Sequence, residues 1–291
     1  GDHDRVVALA RRVLEIRPQE RRAQRLLELM GEVSEDLSWL RAESELWRLA
    51  GEARPADPAV VVLDHREIRF LPSNLTEQRV QRAYLITGAD RAGELESHTI
   101  PFVPESERLR ILRARVLRRD GSEVSARIGD TPRLSEPEFN LYYDTRLRVL
   151  QFGDLEDGDL LEIAYVLSET EEANETGPYN GGLFYLAQQQ PIALLEFELA
   201  GPAELMPAWE LVGMEGTPEH IVDGEGRVSL RWQWRNLPAV PVEVPAAPRL
   251  LVTPHLVYSN HPDWGELVDW YARHVQPRIQ VSDEVAETAR R

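Results

Sequence analysis

Three residues of metal-binding type, His255, His261 and Asp263, fall within nine positions of one another. Their spacing argues against a site. His255-x5-His261 is not the i, i+4 step that sets two imidazoles on one helix face, so no metal is expected there. The chain contains no cysteine, which removes thiolate nucleophiles, disulfides and zinc–thiolate centres together. It holds no G-x-S-x-G, no H-E-x-x-H and no G-x-x-x-x-G-K sequence. Gly177 to Gly182 (GPYNGG) is glycine-rich, but it lacks the lysine and the strand-to-helix setting of a phosphate loop. Glu136 and Glu138 are a carboxylate pair with nothing to fix their separation. Neither a catalytic constellation nor a cofactor is therefore expected.

The aromatic residues offer more. Trp232 and Trp234 alternate on one face of a strand-like segment, VSLRWQW, with Trp209, Tyr179, Phe184 and Tyr185 in neighbouring segments. Indoles in a row on a sheet face can grip a glycan or an extended peptide. The same indoles can equally fill the core of a sandwich, and the sequence leaves both readings open.

Composition narrows the partners. With 50 acidic and 33 basic residues the net charge is −17, so phosphate backbones are repelled and nucleic acid is not an expected ligand. Asp154 to Glu175 carries nine carboxylates and no cation, without the Asp-x-Asp-x-Asp-Gly spacing of a calcium loop. It reads as a solvated, solubilising stretch. Every basic residue is Arg, a bias that coding-DNA composition explains. No run approaches the 18 or so apolar residues of a membrane span.

The elements that would position these residues follow from periodicity. Residues 1–53 read as helices: Val6, Leu9, Ala10, Val13 and Leu14 fall at helical spacing, then Ala23, Leu26, Leu27 and Met30, then Leu37, Leu40 and Trp47. Helix, Pro18, helix, helix is similar to the end of a tetratricopeptide array. Arg54 to Pro58 is a linker by composition, and after it the period changes to that of strands. Strands are expected at 60–63, 67–71 and 79–87, in two hairpin-like blocks over 99–167, and at 192–199 and 228–234. The first block has Asp120-Gly121 between its runs, and the second has Gly153 to Asp159. Leu161, Ile163, Tyr165 and Leu167 share a face, and the strand that carries them reads as buried on both sides. The chain returns to helix at Asp263-Trp-Gly-Glu266, a capping-box spacing followed by Leu267, Val268, Tyr271 and Val275. The expected fold is a mainly β chain: an antiparallel β-sandwich over 59–250, a short α-helical domain over 1–53, and a C-terminal helical extension over 251–291.

Four pieces in this order, IPFVPESERLRILRARVLRRDGSEV, VLQFGDLEDGDLLEIAYVL, WRNLPAVPVEVPAAPRLLV and YSNHPDWGELVDWYARHVQP, resemble the DUF3857 family. That family is an all-β region found before transglutaminase-like domains in bacterial proteins. The resemblance implies an accessory domain whose partner in cis is a papain-like catalytic core downstream, with a Cys nucleophile and a His base. No position here matches that Cys–His–Asp motif, so no catalytic residue is carried over. The resemblance also implies that Trp264, Leu267, Trp270 and Tyr271 form the junction with that core, and that the setting is periplasmic or at the cell envelope. The alternative is an independent glycan- or peptide-binding module using Trp209, Trp232 and Trp234.

Overall fold

The computed structural model describes residues 2–16, 21–30, 37–130, 135–136, 141–142, 144–170, 180–240, 248–260, 264–276, 279 and 288. The chain opens with helices α1 (Asp2–Ile16) and α2 (Arg21–Leu29), which pack on each other through Val7, Ala10, Ala23 and Leu27. A third helix, α3 (Glu43–Glu52), does not join them. Its Leu46, Leu49, Ala50 and Ala53 lie at i, i+3, i+4 and i+7, and that stripe lies against a large β-sheet. The helical stretch 1–53 therefore divides: α1 and α2 form one cluster, and α3 is part of the β domain.

The large sheet is built from β1 (Ala59–Phe70), β2 (Thr76–Ile86), β4 (Glu107–Leu117), β5 (Glu123–Ser125), β10 (Leu160–Glu169), β12 (Ile192–Pro202), β14 (Glu219–Val222) and β15 (Arg227–Leu237). Their order across the sheet is β14-β15-β12-β1-β2-β10-β4-β5. All neighbours are antiparallel except the central pair: β1 and β12 run parallel, with His65 opposite Glu196 and Ile68 opposite Leu199. They approach closely at one end, where a Cβ on Gly201 would lie 2.9 Å from the Phe70 carbonyl oxygen. Asp120-Gly121 makes the expected hairpin between β4 and β5, with Gly121 at φ +85°, a region open to glycine at no steric cost.

Two small sheets cover one face of this platform. One has the order β3 (Ser97–Phe102), β9 (Arg146–Gln151), β6 (Arg127–Asp130). The other has the order β11 (Gly181–Tyr185), β16 (His255–Ser259), β13 (Ala208–Val212). A further two-stranded ribbon pairs β7 (Ser135–Glu136) with β8 (Leu141–Tyr142). The mainly β, sandwich-like fold is thus what the sequence pattern indicates. The second of its two blocks is not a hairpin, however. β9 lies in a small sheet and β10 in the large one, and the segment between them carries the chain from layer to layer, so that Leu150 and Leu161 meet in one core.

That core contains Val61, Phe70, Tyr84, Ile100, Leu150, Leu161, Ile163, Phe184, Phe197, Trp232 and Leu256. The opposite face of the large sheet holds a second core, where Val60, Val62, Leu63, Ala83, Leu85, Leu160 and Leu194 meet α3. With cover on both sides, β1 is buried continuously from Ala59 to His65 and β10 from Leu160 to Ala164, as the sequence reading of β10 expects. Two shorter elements, α4 (Arg249–Val252) and α5 (Trp264–Val275), flank β16. Among the described residues no helix is long and apolar enough to cross a membrane.

Leu46 is fully buried in the sheet-facing stripe. Leu46→Ala should lower the unfolding free energy by about 2–4 kcal/mol in urea titrations. Leu27→Ala, in the α1–α2 cluster, should leave that main transition in place.

Candidate functional site

Of the aromatic trio, Trp232 is only 1% exposed. It lies between Phe197, at a ring separation of 6.2 Å, and Trp209, which meets it edge-on at 5.1 Å. Trp234 is half-buried against the same core and its Nε1 donates to the Glu215 carbonyl at 3.3 Å. Trp209 is the most open of the three, at 38% exposure. The alternation on β15 that put Trp232 and Trp234 on one face is real, but the face is the inner one, beneath the small sheet of β11, β16 and β13. Stacking on a ligand is denied to Trp232 because its ring is buried.

His255 is buried in β16, where its Nδ1 lies 2.9 Å from the Thr253 carbonyl. His261 and Asp263 lie outside the described residues, as do Gly177 and Tyr179 of the glycine-rich stretch. Among the described residues no group of three metal-ligating side chains converges. A surface depression of about 460 Å³ lies between α3 and the β4–β5 turn, lined by Trp47, Leu85, Arg118 and Arg119. Its Arg118 is already bound to Asp159 and to the Asp154 carbonyl.

Toward the C-terminus the apolar residues point outward. Leu250, Leu251 and Val252 of α4 are 47%, 76% and 57% exposed, and Val268 and Tyr271 of α5 are 59% and 60% exposed. Trp270 is half-buried, with its ring 4.8 Å from that of His274. Of the four residues expected at a junction, Trp270 and Tyr271 are thus placed on a helix with one strongly exposed side. The side chains of Trp264 and Leu267 lie outside the described residues.

The densest polar constellation was not expected from the sequence. On the α3 side of the large sheet a row of polar side chains crosses six strands. Arg113 and Arg115 of β4 hold the fully buried Glu162 of β10 at 2.9 and 2.7 Å. Gln81 of β2 donates to Glu162 at 2.8 Å and to the Arg41 carbonyl at 3.1 Å, while its Oε1 accepts from the Arg41 amide at 2.7 Å. Arg41 Nη2 reaches both oxygens of Glu196 on β12 at 2.9 Å, His65 of β1 approaches the same carboxylate at 3.3 Å, and Gln233 of β15 donates to it at 3.0 Å. Trp39 stacks over His65 at 6.0 Å. The row therefore clamps residues 39–41, just before α3, onto the sheet. Burial alone would raise the Glu196 pKa, but hydrogen bonds from His65 and Arg41 outweigh it and bring it to about 2.

A second charged group lies on the inner face. Asp64 of β1 is buried between Arg82 of β2, at 2.5 Å, and Arg66, at 3.3 Å. Burial works against its ionisation, and the two guanidinium groups more than offset it, so its pKa is lowered.

The fold thus defines a β platform covered on both faces. The chain belongs to the DUF3857 family, a domain of unknown function, whose sequence model matches residues 72–241. No curated protein matches the chain. In fold it is similar to the crystal structure of a "putative protease" from Parabacteroides distasonis ATCC 8503, with a TM-score of 0.62 and 18% identity. The alignment covers 72% of this chain and 41% of that one, so this chain spans about two fifths of that protein's length. At this identity the likeness is one of fold.

Two outcomes check these assignments. Because the Glu196 pKa is depressed on folding, its contribution is present above pH 4.5 and lost as the pH falls toward 2. Glu196→Gln should flatten that part of the stability–pH curve by an amount of the order of 3 kcal/mol. Trp232→Ala should cost about 3–5 kcal/mol of stability by denaturant titration, and Trp209→Ala less than about 2 kcal/mol.

Proposed function

We propose that this chain is a non-catalytic accessory domain that supports and orients a transglutaminase-like, papain-fold catalytic domain following it in the same protein. The observation that carries this reading is the outward-facing apolar surface of the C-terminal elements. Leu251 at 76% and Tyr271 at 60% exposure are hydrophobic residues left in water on α4 and α5. Where exposed apolar residues form one patch, they mark an interaction surface, and α4 and α5 each carry such residues. The match of a longer protein's fold to this chain over only 41% of its length is consistent with a unit that works beside others. Membership of DUF3857 adds the family context, and the cis partner is carried over from the resemblance of the four sequence blocks.

In this role α4, β16 and α5 act as the hinge-side wall of the domain. β16 is locked into the small sheet through both β11 and β13, and Asn180 and Asn260 exchange hydrogen bonds at 2.9 Å. This pairing anchors β16, which lies between α4 and α5 in the chain, to the platform. The aromatic-platform alternative loses its central ring, Trp232, to the core, and we do not adopt it.

Hydrogen exchange on the protein encoded by the complete gene, compared with residues 1–291 alone, tests the proposal. Peptides covering 249–252 and 264–275 should exchange at least about tenfold more slowly in the longer protein, because docking would raise the local opening free energy. Equal exchange in the two proteins would overturn the accessory role. Leu251→Asp should lower the melting temperature of the longer protein and leave that of residues 1–291 unchanged.

A further inference from the structure

The inner-face group on β1 and β2 is unbalanced in a way that the platform role does not explain. Two guanidinium groups, Arg66 and Arg82, share the single carboxylate of Asp64. Arg82 uses one terminal nitrogen on Asp64 and the other on the Tyr84 hydroxyl at 3.3 Å, while its Nε is buried with no partner. Arg66 contacts Asp64 through Nε, and its two terminal nitrogens have no acceptor among the described residues. Its guanidinium carbon lies over the Phe184 ring, 4.7 Å from the ring centre. His98 and Tyr165 lie within electrostatic reach of both arginines, and neither has a hydrogen-bond partner among the described residues.

The position of this group matters as much as its charge. Phe184 belongs to β11 of one small sheet and His98 to β3 of the other. The group therefore lies on the inner face of the large sheet, against Phe184 of one covering sheet and within electrostatic reach of His98 of the other, and its arginines are only partly closed off: Arg66 and Arg82 keep 23% and 14% of their side-chain surface. An excess cation held in such a place is costly unless an anion completes it, and unsatisfied guanidinium N–H groups are costly in the same way. The protein as a whole carries −17, so a local positive excess is not a property of its general surface.

We propose that this inner-face group beside Phe184 binds a small oxyanion, with the terminal nitrogens of Arg66 as its charged donors and Arg82, Tyr165 and His98 around it. A carboxylate or a phosphate-class group has the acceptor geometry that a guanidinium fork matches. Phe184, beneath the Arg66 guanidinium, steadies that fork. His98 is neutral under ordinary conditions, since burial and the two guanidinium groups push its pKa down to about 4. It can therefore accept or donate one hydrogen bond there without adding charge.

Thermal unfolding of the 291-residue chain, titrated separately with inorganic phosphate, sulfate, acetate and succinate at constant ionic strength in chloride, reads the site directly. At ten times Kd a single site should raise the melting temperature by about 3–6 °C, saturably. Phosphate and sulfate acting alone would identify a phosphate-class group, and acetate and succinate acting alone a carboxylate. Arg66→Gln, which leaves the Arg82–Asp64 pair in place, should abolish the shift. Should that variant fail to fold, His98 imidazole resonances of the unsubstituted protein supply the second readout, with the His98 pKa rising when the active anion is added. No saturable shift with any of the four anions, an equal shift in Arg66→Gln, or a His98 pKa that ignores the active anion would each overturn the site.

Discussion

The parallel pairing of β1 with β12 is the constraint on which the rest of the structure depends. His65 and Glu196 face each other across it although 131 positions separate them in the chain. Parallel neighbours cannot be joined by a tight turn, so everything between them must fold outward and return. β2, β10, β4 and β5 extend the sheet on one side of β1, and β15 and β14 extend it on the other side of β12. The central strands are then flanked on both edges and covered on both faces, α3 below and the small sheets above. Closing such long-range contacts is entropically expensive before any packing rewards it.

Register across this platform is held by charge as well as by shape. A slip of one residue would turn every side chain to the opposite face, carrying Glu162 and Glu196 into the apolar core and Leu161 and Phe197 out of it. The polar row from Arg113 to Gln233 can be satisfied in one register only, because Glu162 needs Arg113, Arg115 and Gln81 together. The same row fastens residues 39–41, and the apolar stripe of α3 follows directly. One set of contacts therefore aligns the strands and closes the lower face. The family's sequence model begins at residue 72, yet the central strand and its helical cover lie before it.

Much of this was legible in the sequence, and the failures have physical causes. The strands around 60–70, 160–167, 192–199 and 228–234, and the Asp120-Gly121 turn, follow from alternation and turn chemistry. Strict alternation would place Val61, Leu63 and His65 on one face, but β1 shifts register between Val61 and Leu63. A bulge of this kind leaves no mark in a single sequence. Past it, Asp64 and Arg66 turn inward and His65 and Glu67 turn toward the α3 side, so the inner charge group was invisible to periodicity. Periodicity does not reveal the polar row, because it assigns each charged residue a face but not the partner on a neighbouring strand that pairs with it. Helix α3 was grouped with α1 and α2 because amphipathic helices look alike whatever they cover. Trp232 was ambiguous for a similar reason: alternation names a face but not whether another layer lies on it.

An integral role for residues 37–70 in the β domain is the claim most open to direct trial. The measurement is the chemical denaturation of three shortened chains, beginning at residues 37, 54 and 72. The chain from 37 should unfold with the cooperativity and midpoint of the β domain in the complete chain. The chain from 54, deprived of Arg41, Leu46 and Leu49, should lose several kcal/mol, in line with uncovering the apolar residues beneath α3 and removing the guanidinium partner of Glu196. The chain from 72, without β1, should show no cooperative transition. A chain from residue 72 that unfolds cooperatively at the same midpoint would contradict the dependence of the fold on β1, β12 and the helix that covers them.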